Sequence, residues 1–510
     1  MRLLNVHTLQ LQSFMDERNA PPYAILSHTW GNDELTFEEL AGPRLSQDKE
    51  SQGVWKILKC AEEAQRAGLD HIWVDTCCIQ KSSSAELSEA INSMFRWYKR
   101  SAVCYAYLSD VEPDLRETLY PPHNVCGKSW LKTFSASRWF TRGWTLQELI
   151  APRRLTFFSK EWVAMGTKAI LAPVLSGITS IPEETLIYGD AFGQPVSRRM
   201  SWAAKRQTTR IEDLAYSLLG IFDINMPLLY GEGRYAFQRL QEEIIKVTDD
   251  ETIFAWKATT SSFATWRGLF AQSPDEFADS GGFVPFSGDT NSQSQVITNR
   301  GLRVQFPLSR RKGVEKGWNS GTEFIATLKC LDSQSTGRFR NQGFSTVGIY
   351  IKKVFDNDYI RVDADKIHTA TEKASYKWND WTYVTVRNRL DYSPWHYFSK
   401  CSRIRGICVR NTSTSATLEK VQPAEHWNPE AQTFVFDEDA MQRGLRQVIE
   451  CTFRILDSDS TVALHFNPRE RYRRICCYYK VMKGKITVLI ESLVRVIDGE
   501  AVLVVGLKIE

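Results

Sequence analysis

The sequence predicts an α/β domain at its N-terminus, built on a parallel sheet with flanking helices, then a helical extension and a mainly-β C-terminal domain. Three observations carry that prediction. Up to about residue 180, apolar strand-like runs alternate with amphipathic helical segments, the pattern of a parallel sheet covered by helices. From 197 to about 247 the apolar spacing is helical throughout. Beyond Trp256 the chain turns to short β-branched segments separated by Gly, Asp, Asn or Ser, the texture of an antiparallel sandwich or barrel. A chain of 510 residues is too long for one core. We therefore expect three domains: 1–180 (α/β), 181–256 (helical, packed on the first) and 257–510 (β-rich, with a regulatory role).

Each element has its own signal. Residues 23–31 (YAILSHTWG) read as a strand running into a Ser/Gly loop. Val54, Ile57, Leu58 and Ala61 lie at helical spacing, and Gly68 stops that helix. Residues 72–79 (IWVDTCCI) read as a second buried strand ending in Asp75. Ser83 and Glu86 form a capping-box pattern, after which Leu87, Ile91, Met94, Phe95 and Tyr98 make one apolar face. A third strand follows at 102–108, then a polar, proline-containing insertion at 109–128, a short helix at 142–149 and a strand at 154–159. Right-handed crossovers bring the C-terminal ends of these strands to one rim, with Ser27, Asp75 and Asp110 on it. Open α/β sheets bind ligands at that rim. In the extension, Ile211, Leu214, Ala215, Leu218 and Leu219 form one stripe; Phe237, Leu240, Ile244 and Ile245 form another. Strands are expected at 294–298, 302–306, 324–328, 347–351, 381–386 and 486–490, with a polar loop at 287–293 and no internal repeat.

Composition removes several classes. A net charge of +4 gives no global argument for nucleic acid, and the basic run 468–474 is read as a solvated strand edge. No apolar run is long enough to span a membrane, and residues 1–17 lack the apolar core of a secretory leader. Eleven cysteines, several inside apolar strands, fit a reduced, cytoplasmic protein. No CxxC pair, HExxH or Cys/His cluster predicts a metal, and no Walker A or GxGxxG follows a strand. Cys77 and Cys78, with His28 or His71, offer a thiol nucleophile on paper, but their apolar flanks point to buried, inert thiols.

The candidate chemistry lies in RGWTLQEL (142–149), which sets Glu148 four residues after Trp144 on a short helix. Residues i and i+4 share a helix face, so indole and carboxylate would look into one space, with Arg138 and Arg142 upstream. Aromatic face, carboxylate and guanidinium suit a nucleotide or a sugar. The bland alternative packs Trp144 and the leucines inward and leaves Glu148 in water, as most glutamates are.

These blocks, 23–31, 72–79, 102–108 and 142–149, appear in the order and spacing of the HET (heterokaryon incompatibility) domain of filamentous fungi, and the chain resembles that family over roughly 20–180. The segments 211–220 (IEDLAYSLLG) and 226–233 (MPLLYGEG) resemble the stretch that often trails HET domains, extending the match to about 256. The resemblance implies a TIR-related, flavodoxin-like sheet and makes Glu148 the counterpart of the glutamate with which TIR domains cleave NAD, with Thr145 where they often carry Cys. It implies NAD(P)+ as substrate and no resident cofactor. Substrate contacts would then come from Ser27, His28, Trp30, Gly31, Asp75, Arg142 and Trp144. The loop from Ser27 to Gly31 would cradle phosphate or ribose through backbone N–H groups. Trp30 and Trp144 would stack on nicotinamide or adenine, or else pack in the core. Asp75 would hold a ribose hydroxyl or cap the next helix. Arg138 and Arg142 would meet pyrophosphate, or pair with Asp75 or Asp110.

Two readings stay open. One is an NAD(P)+ glycohydrolase that kills the cell by depleting the cofactor. The other is a signalling module in which the HET domain associates with itself or a partner and triggers death by contact alone.

Overall fold

The computed structural model describes residues 1–40, 42, 48, 51–112, 130–259, 267–286, 295–311, 323–333, 345–355, 358–370 and 381–386 and, beyond residue 400, the strands between 404 and 509. Most of the insertion expected at 109–128, the polar loop at 287–293 and residues 470–473 of the basic run lie outside the described residues. The chain divides into two units, Met1–Ser309 with Phe324–Asn388, and Arg310–Glu323 with Arg389–Glu510.

The first unit opens with a seven-stranded sheet. Its strands are β1 (Arg2–Asn5), β2 (Leu11–Ser13), β3 (Ala24–His28), β4 (His71–Trp73), β5 (Val103–Tyr107), β6 (Leu155–Phe158) and β7 (Ala164–Thr167), in the order β2-β1-β4-β3-β5-β6-β7. The four expected strands form the parallel centre β4-β3-β5-β6. The edges are antiparallel, a correction to the all-parallel expectation. The hairpin β1–β2 and the return strand β7 carry three or four residues each, too few to display a period of two.

Two long helices cover opposite faces, as right-handed crossovers in opposite directions from β4 require. Helix α1 (Gln52–Arg66) meets the face of Tyr105 and Tyr107: Trp55 lies edge-on to Tyr107 with centroids 6.2 Å apart, and the Tyr105 hydroxyl donates to the Glu63 carbonyl at 3.2 Å. Helix α2 (Ser84–Arg100) sends Tyr98 against Trp73 on the other side, its hydroxyl donating to the Leu26 carbonyl at 3.1 Å. Ser83 caps α2 by accepting from Glu86 N. The reciprocal arm of the expected capping box is not made: the Glu86 carboxylate takes Gln80 N at 2.9 Å and the Arg2 guanidinium instead.

The extension is a run of short helices ending in Tyr235–Val247, which buries Phe237, Leu240, Ile244 and Ile245 as expected. The stripe 211–219 breaks into two four-residue helices, Asp213–Tyr216 and Leu219–Phe222, and leaves Ile211 exposed. The unit closes with a barrel. Strands β10 (Gly301–Arg310), β11 (Glu323–Asp332), β12 (Ser345–Phe355), β13 (Asp358–Arg361) and β15 (Trp381–Val386) form a ring, because β12 pairs with both β13 and β11. Short strands β8 (Phe283–Pro285), β9 (Val296–Thr298) and β14 (His368–Ala370) flank it. Arg361 of β13, fully buried, donates to the carbonyl of Phe254 at 2.9 Å and lies 3.7 Å over the Trp256 ring, fastening the barrel to the end of the extension.

The second unit holds a five-stranded sheet, in which Ile404–Asn411 and Glu500–Ile509 pair in parallel at its heart, and a four-stranded antiparallel sheet from 416 to 481. Among the described residues, no helix is long and apolar enough to cross a membrane.

Candidate functional site

Glu148 sits on the six-residue helix α3 (Thr145–Ile150), every residue of which is buried. The residue is 7% exposed, so the solvated alternative does not hold. Its Oε2 accepts from Ser27 Oγ at 2.5 Å, and Ser27 Oγ in turn accepts from the Trp139 indole N–H at 2.9 Å. The Tyr98 hydroxyl, which donates to the Leu26 carbonyl, lies near the carboxyl and favours its ionised form. Ser27 is next to last on β3, the strand whose neighbours β4 and β5 carry the chain in opposite directions from it, so the carboxyl stands at the sheet's switch point. Burial pushes the Glu148 carboxyl up to about 8; the Ser27 hydrogen bond and the Arg142 charge pull it back, and Asp75 adds to the rise.

Two buried cations grip α3 by its ends. At the N-terminus, Arg206 Nη1 donates to the Arg142 carbonyl at 2.9 Å and to Thr145 Oγ1 at 3.1 Å. At the C-terminus, Lys168 Nζ donates to the Leu149 carbonyl at 3.1 Å and to that of Pro152. Their donors satisfy main-chain and hydroxyl oxygens that the helix ends leave open. Burial lowers Lys168 to about 8 and Arg206 to about 10. The backbone joins in: Gly143 N donates to Gln207 O at 2.9 Å, and Gln207 N to Thr141 O at 2.7 Å. A Cβ on Gly143 would lie 2.4 Å from the Thr208 methyl, so this close approach needs glycine.

His28 points to the opposite face from Ser27, as successive strand residues do. Its Nε2 lies 3.5 Å from Glu34 Oε2 and 3.9 Å from Asp75 Oδ1. Glu34 also pairs with the ammonium of Lys56 on α1. The contact exists because Gly53 lets the loop lie on the helix: a Cβ there would fall 1.9 Å from the Asp33 carbonyl oxygen. Burial and the Lys56 charge hold the His28 imidazole below its ordinary value, so it is neutral. Burial works against the Glu34 charge, but His28 and Lys56 outweigh it and hold the carboxyl below the usual range.

The other expected site residues fall around this rim. Trp30 is 43% exposed; its indole N–H donates to Asp75 Oδ2 at 2.8 Å, and its carbonyl accepts from Arg138 at 2.9 Å. Gly31 N donates to Glu34 Oε1 at 2.6 Å. Arg142 is half-buried near Glu148, and its guanidinium forms no hydrogen bond among the described residues. Trp144 is half-buried with its indole on the Asp213 carboxyl of the extension. Asp110 receives Ser137 Oγ and Arg138 N, capping the turn Arg138–Thr141. Cys77 and Cys78 are buried; the Cys78 contact and burial push the Cys77 thiol well above its ordinary value, against a nucleophilic role. No group of residues among those described could hold a metal.

The structure thus joins Ser27 to Glu148, gathers His28, Trp30, Gly31 and Asp75 beside Glu34, and turns Trp144 toward the extension. Sequence reasoning missed Tyr98, Trp139, Lys168, Arg206, Glu34 and Lys56, and also Lys81, whose ammonium lies over the Trp30 ring. Only Lys56 left a signal, a lysine set between Val54 and Ile57 on a helix face that is otherwise apolar.

This is an α/β domain with a buried, hydroxyl-bonded acid at the switch point of its sheet. Residues 23–126 match the family described as Heterokaryon incompatibility protein (HET), and residues 235–269 match a domain of unknown function (DUF8212). The chain is 50% identical over 229 residues to vegetative incompatibility protein HET-E-1 of Podospora anserina; the match covers 44% of this chain and 16% of that protein. No solved structure matches. The chain contains a HET domain.

Proposed function

We propose that this chain is a vegetative incompatibility protein, a cytoplasmic effector of nonself recognition whose HET domain kills the cell by hydrolysing NAD(P)+ through Glu148. The observation that carries the reading is the Ser27–Glu148 contact at the switch point. The order of the parallel strands, that of flavodoxin-like sheets, supports the TIR kinship. In this chemistry the bond between nicotinamide and ribose breaks through an oxocarbenium-like transition state. A carboxylate beneath the ribose stabilises the developing charge. Nicotinamide is a good leaving group, so no general acid is required. The free site holds Glu148 largely protonated at neutral pH, and the positive nicotinamide ring of an arriving substrate favours the ionised form. In this scheme 1–180 is the effector domain, 181–256 supports it, and the β-rich 257–510 regulates it. Purified protein incubated with NAD+ should release free nicotinamide, and Glu148→Gln should not.

The burial of Glu148 favours a second reading, in which the acid is a structural element and the HET domain acts by self-association or partner contact. Cell killing by Glu148→Gln with no fall in NAD+ would select it.

A further inference from the structure

Trp30 combines exposure with restraint. The residue is 43% exposed, yet it is held at three points: indole N–H on Asp75 at 2.8 Å, carbonyl under Arg138 at 2.9 Å, and one ring face under the Lys81 ammonium, 3.4 Å from the centroid. Lys81 lies in the turn just before the Ser83 cap of α2, so its backbone is anchored. An exposed side chain held this way presents a planar surface whose ordering cost is already met, the property that makes a stacking platform.

The charge beneath the ring selects what can stack. A cation on one face already draws on the negative quadrupole of the indole. A second cationic ring stacked on the other face would stand roughly 7 Å from the Lys81 ammonium, within one Debye length and across a low-dielectric ring. Arg138 adds a further positive charge at the backbone of the same residue. Asp75, Glu34 and Glu38 offset part of this field, Asp75 from the N–H edge of the ring. A neutral, electron-rich base meets no such repulsion, and phosphates attached to it are drawn to Lys81 and Arg138.

We infer that Trp30, backed by Lys81, is the seat of the neutral adenine base of the substrate and not of its cationic nicotinamide ring. The inference rests on the dinucleotide reading of the site and orients the substrate within it: adenine on the Trp30 platform, nicotinamide toward the Glu148 carboxyl. Lys81 is then a specificity residue that keeps the dinucleotide from binding in reverse.

The test uses the full chain and two half-substrates, AMP and nicotinamide mononucleotide, with titration calorimetry as the binding readout. Base–aromatic stacking predicts that Trp30→Ala weakens AMP binding about tenfold or more. It should leave nicotinamide mononucleotide unchanged. Trp30→Phe, which keeps a ring, should retain most AMP affinity, and an unchanged thermal midpoint shows the variants folded. Lys81→Gln should weaken AMP and strengthen nicotinamide mononucleotide in the presence of Trp30. Absence of AMP binding to the wild-type chain, AMP affinity indifferent to Trp30→Ala, or equal losses for both half-substrates would overturn the inference. The hydrolase reading is scored separately. If AMP binding depends on Trp30 but NAD+ releases no nicotinamide, the adenine seat stands and the hydrolase falls. If nicotinamide is released with a KM unmoved by Trp30→Ala, the reverse holds.

Discussion

Two glutamates lie on opposite sides of one strand. Glu148 meets β3 through Ser27, and Glu34 meets it through His28, the next residue. Both are removed from water: Glu148 is 7% exposed, and the Glu34 side chain 11%. Their protons nevertheless behave oppositely. Glu148, with hydroxyl partners and a more distant arginine, is raised to about 8; Glu34, in contact with the Lys56 ammonium, is held below the ordinary range. Burial decides the first and is outweighed in the second. A cation in contact keeps a buried carboxylate charged, whereas hydroxyl donors do not cancel the cost of desolvation. One strand thus separates a fixed structural charge from an acid whose proton is available, and environments that push two carboxyls apart mark out different roles for them.

The contrast can be broken first on the charged side. Lys56→Met removes one end of the buried Lys56–Glu34 pair, and breaking a buried pair from one end costs about 3–5 kcal/mol. Adding Glu34→Gln should restore most of that loss in denaturant unfolding; a double variant as unstable as the single one would show that Lys56 acts through packing instead.

Next comes the acid itself. Glu148→Gln should lower nicotinamide release by about 10²–10³, the usual cost of a lost preorganised electrostatic contact. Its stability should move the other way. Folded Glu148 keeps its proton up to about 8, against 4.5 for the free group, so its contribution to stability is fully present below 4.5 and is lost as pH rises through 8. The glutamine of the variant has no proton to lose in this range. Glu148→Gln should therefore gain on the wild type between pH 5 and pH 8 in thermal unfolding, by more than ~1.4 kcal/mol, the equivalent of a tenfold difference in proton affinity between folded and unfolded chains. Parallel stability profiles would mean that the acid is ionised in the folded chain. Glu251, buried and raised to about 7, titrates with the same sign in both proteins and cancels from the comparison.

The smallest effect should come from Ser27→Ala. It removes the hydrogen bond that favours the ionised form, so the Glu148 titration should move further up and the acid limb of the activity profile with it. The expected loss of stability is about 1–2 kcal/mol, typical of one buried hydrogen bond. A downward shift of that limb would contradict the assigned role of Ser27.

Much of this arrangement was legible in the sequence, for physical reasons. The central strands are unbroken apolar runs, and the long helices show a full amphipathic face with a serine cap, so their order and the rim carrying Ser27 and Asp75 followed. What escaped was set by contacts distant in the chain. Glu34 is an acid in a polar loop until Gly53 brings it onto Lys56. Arg206 and Lys168 grip α3 from 61 and 19 residues away, counted to Thr145 and Leu149, and no local pattern announces that. The burial of Glu148 was missed because a glutamate in water is the commoner case; the hydroxyl facing it lies 121 residues earlier.

The footing of α3 on residues 206 and 207 bears on how such a domain can be inherited. The matched HET region ends at residue 126, short of both Glu148 and its supports. A gene fusion that captured only that region would acquire three central strands without the acid, and one ending at Ile150 would acquire the acid on a helix with one end loose. The smallest portable cassette runs from the N-terminal hairpin through Thr208. The match to the Podospora protein runs over 229 residues, 16% of that protein's length, and so exceeds the length of this cassette.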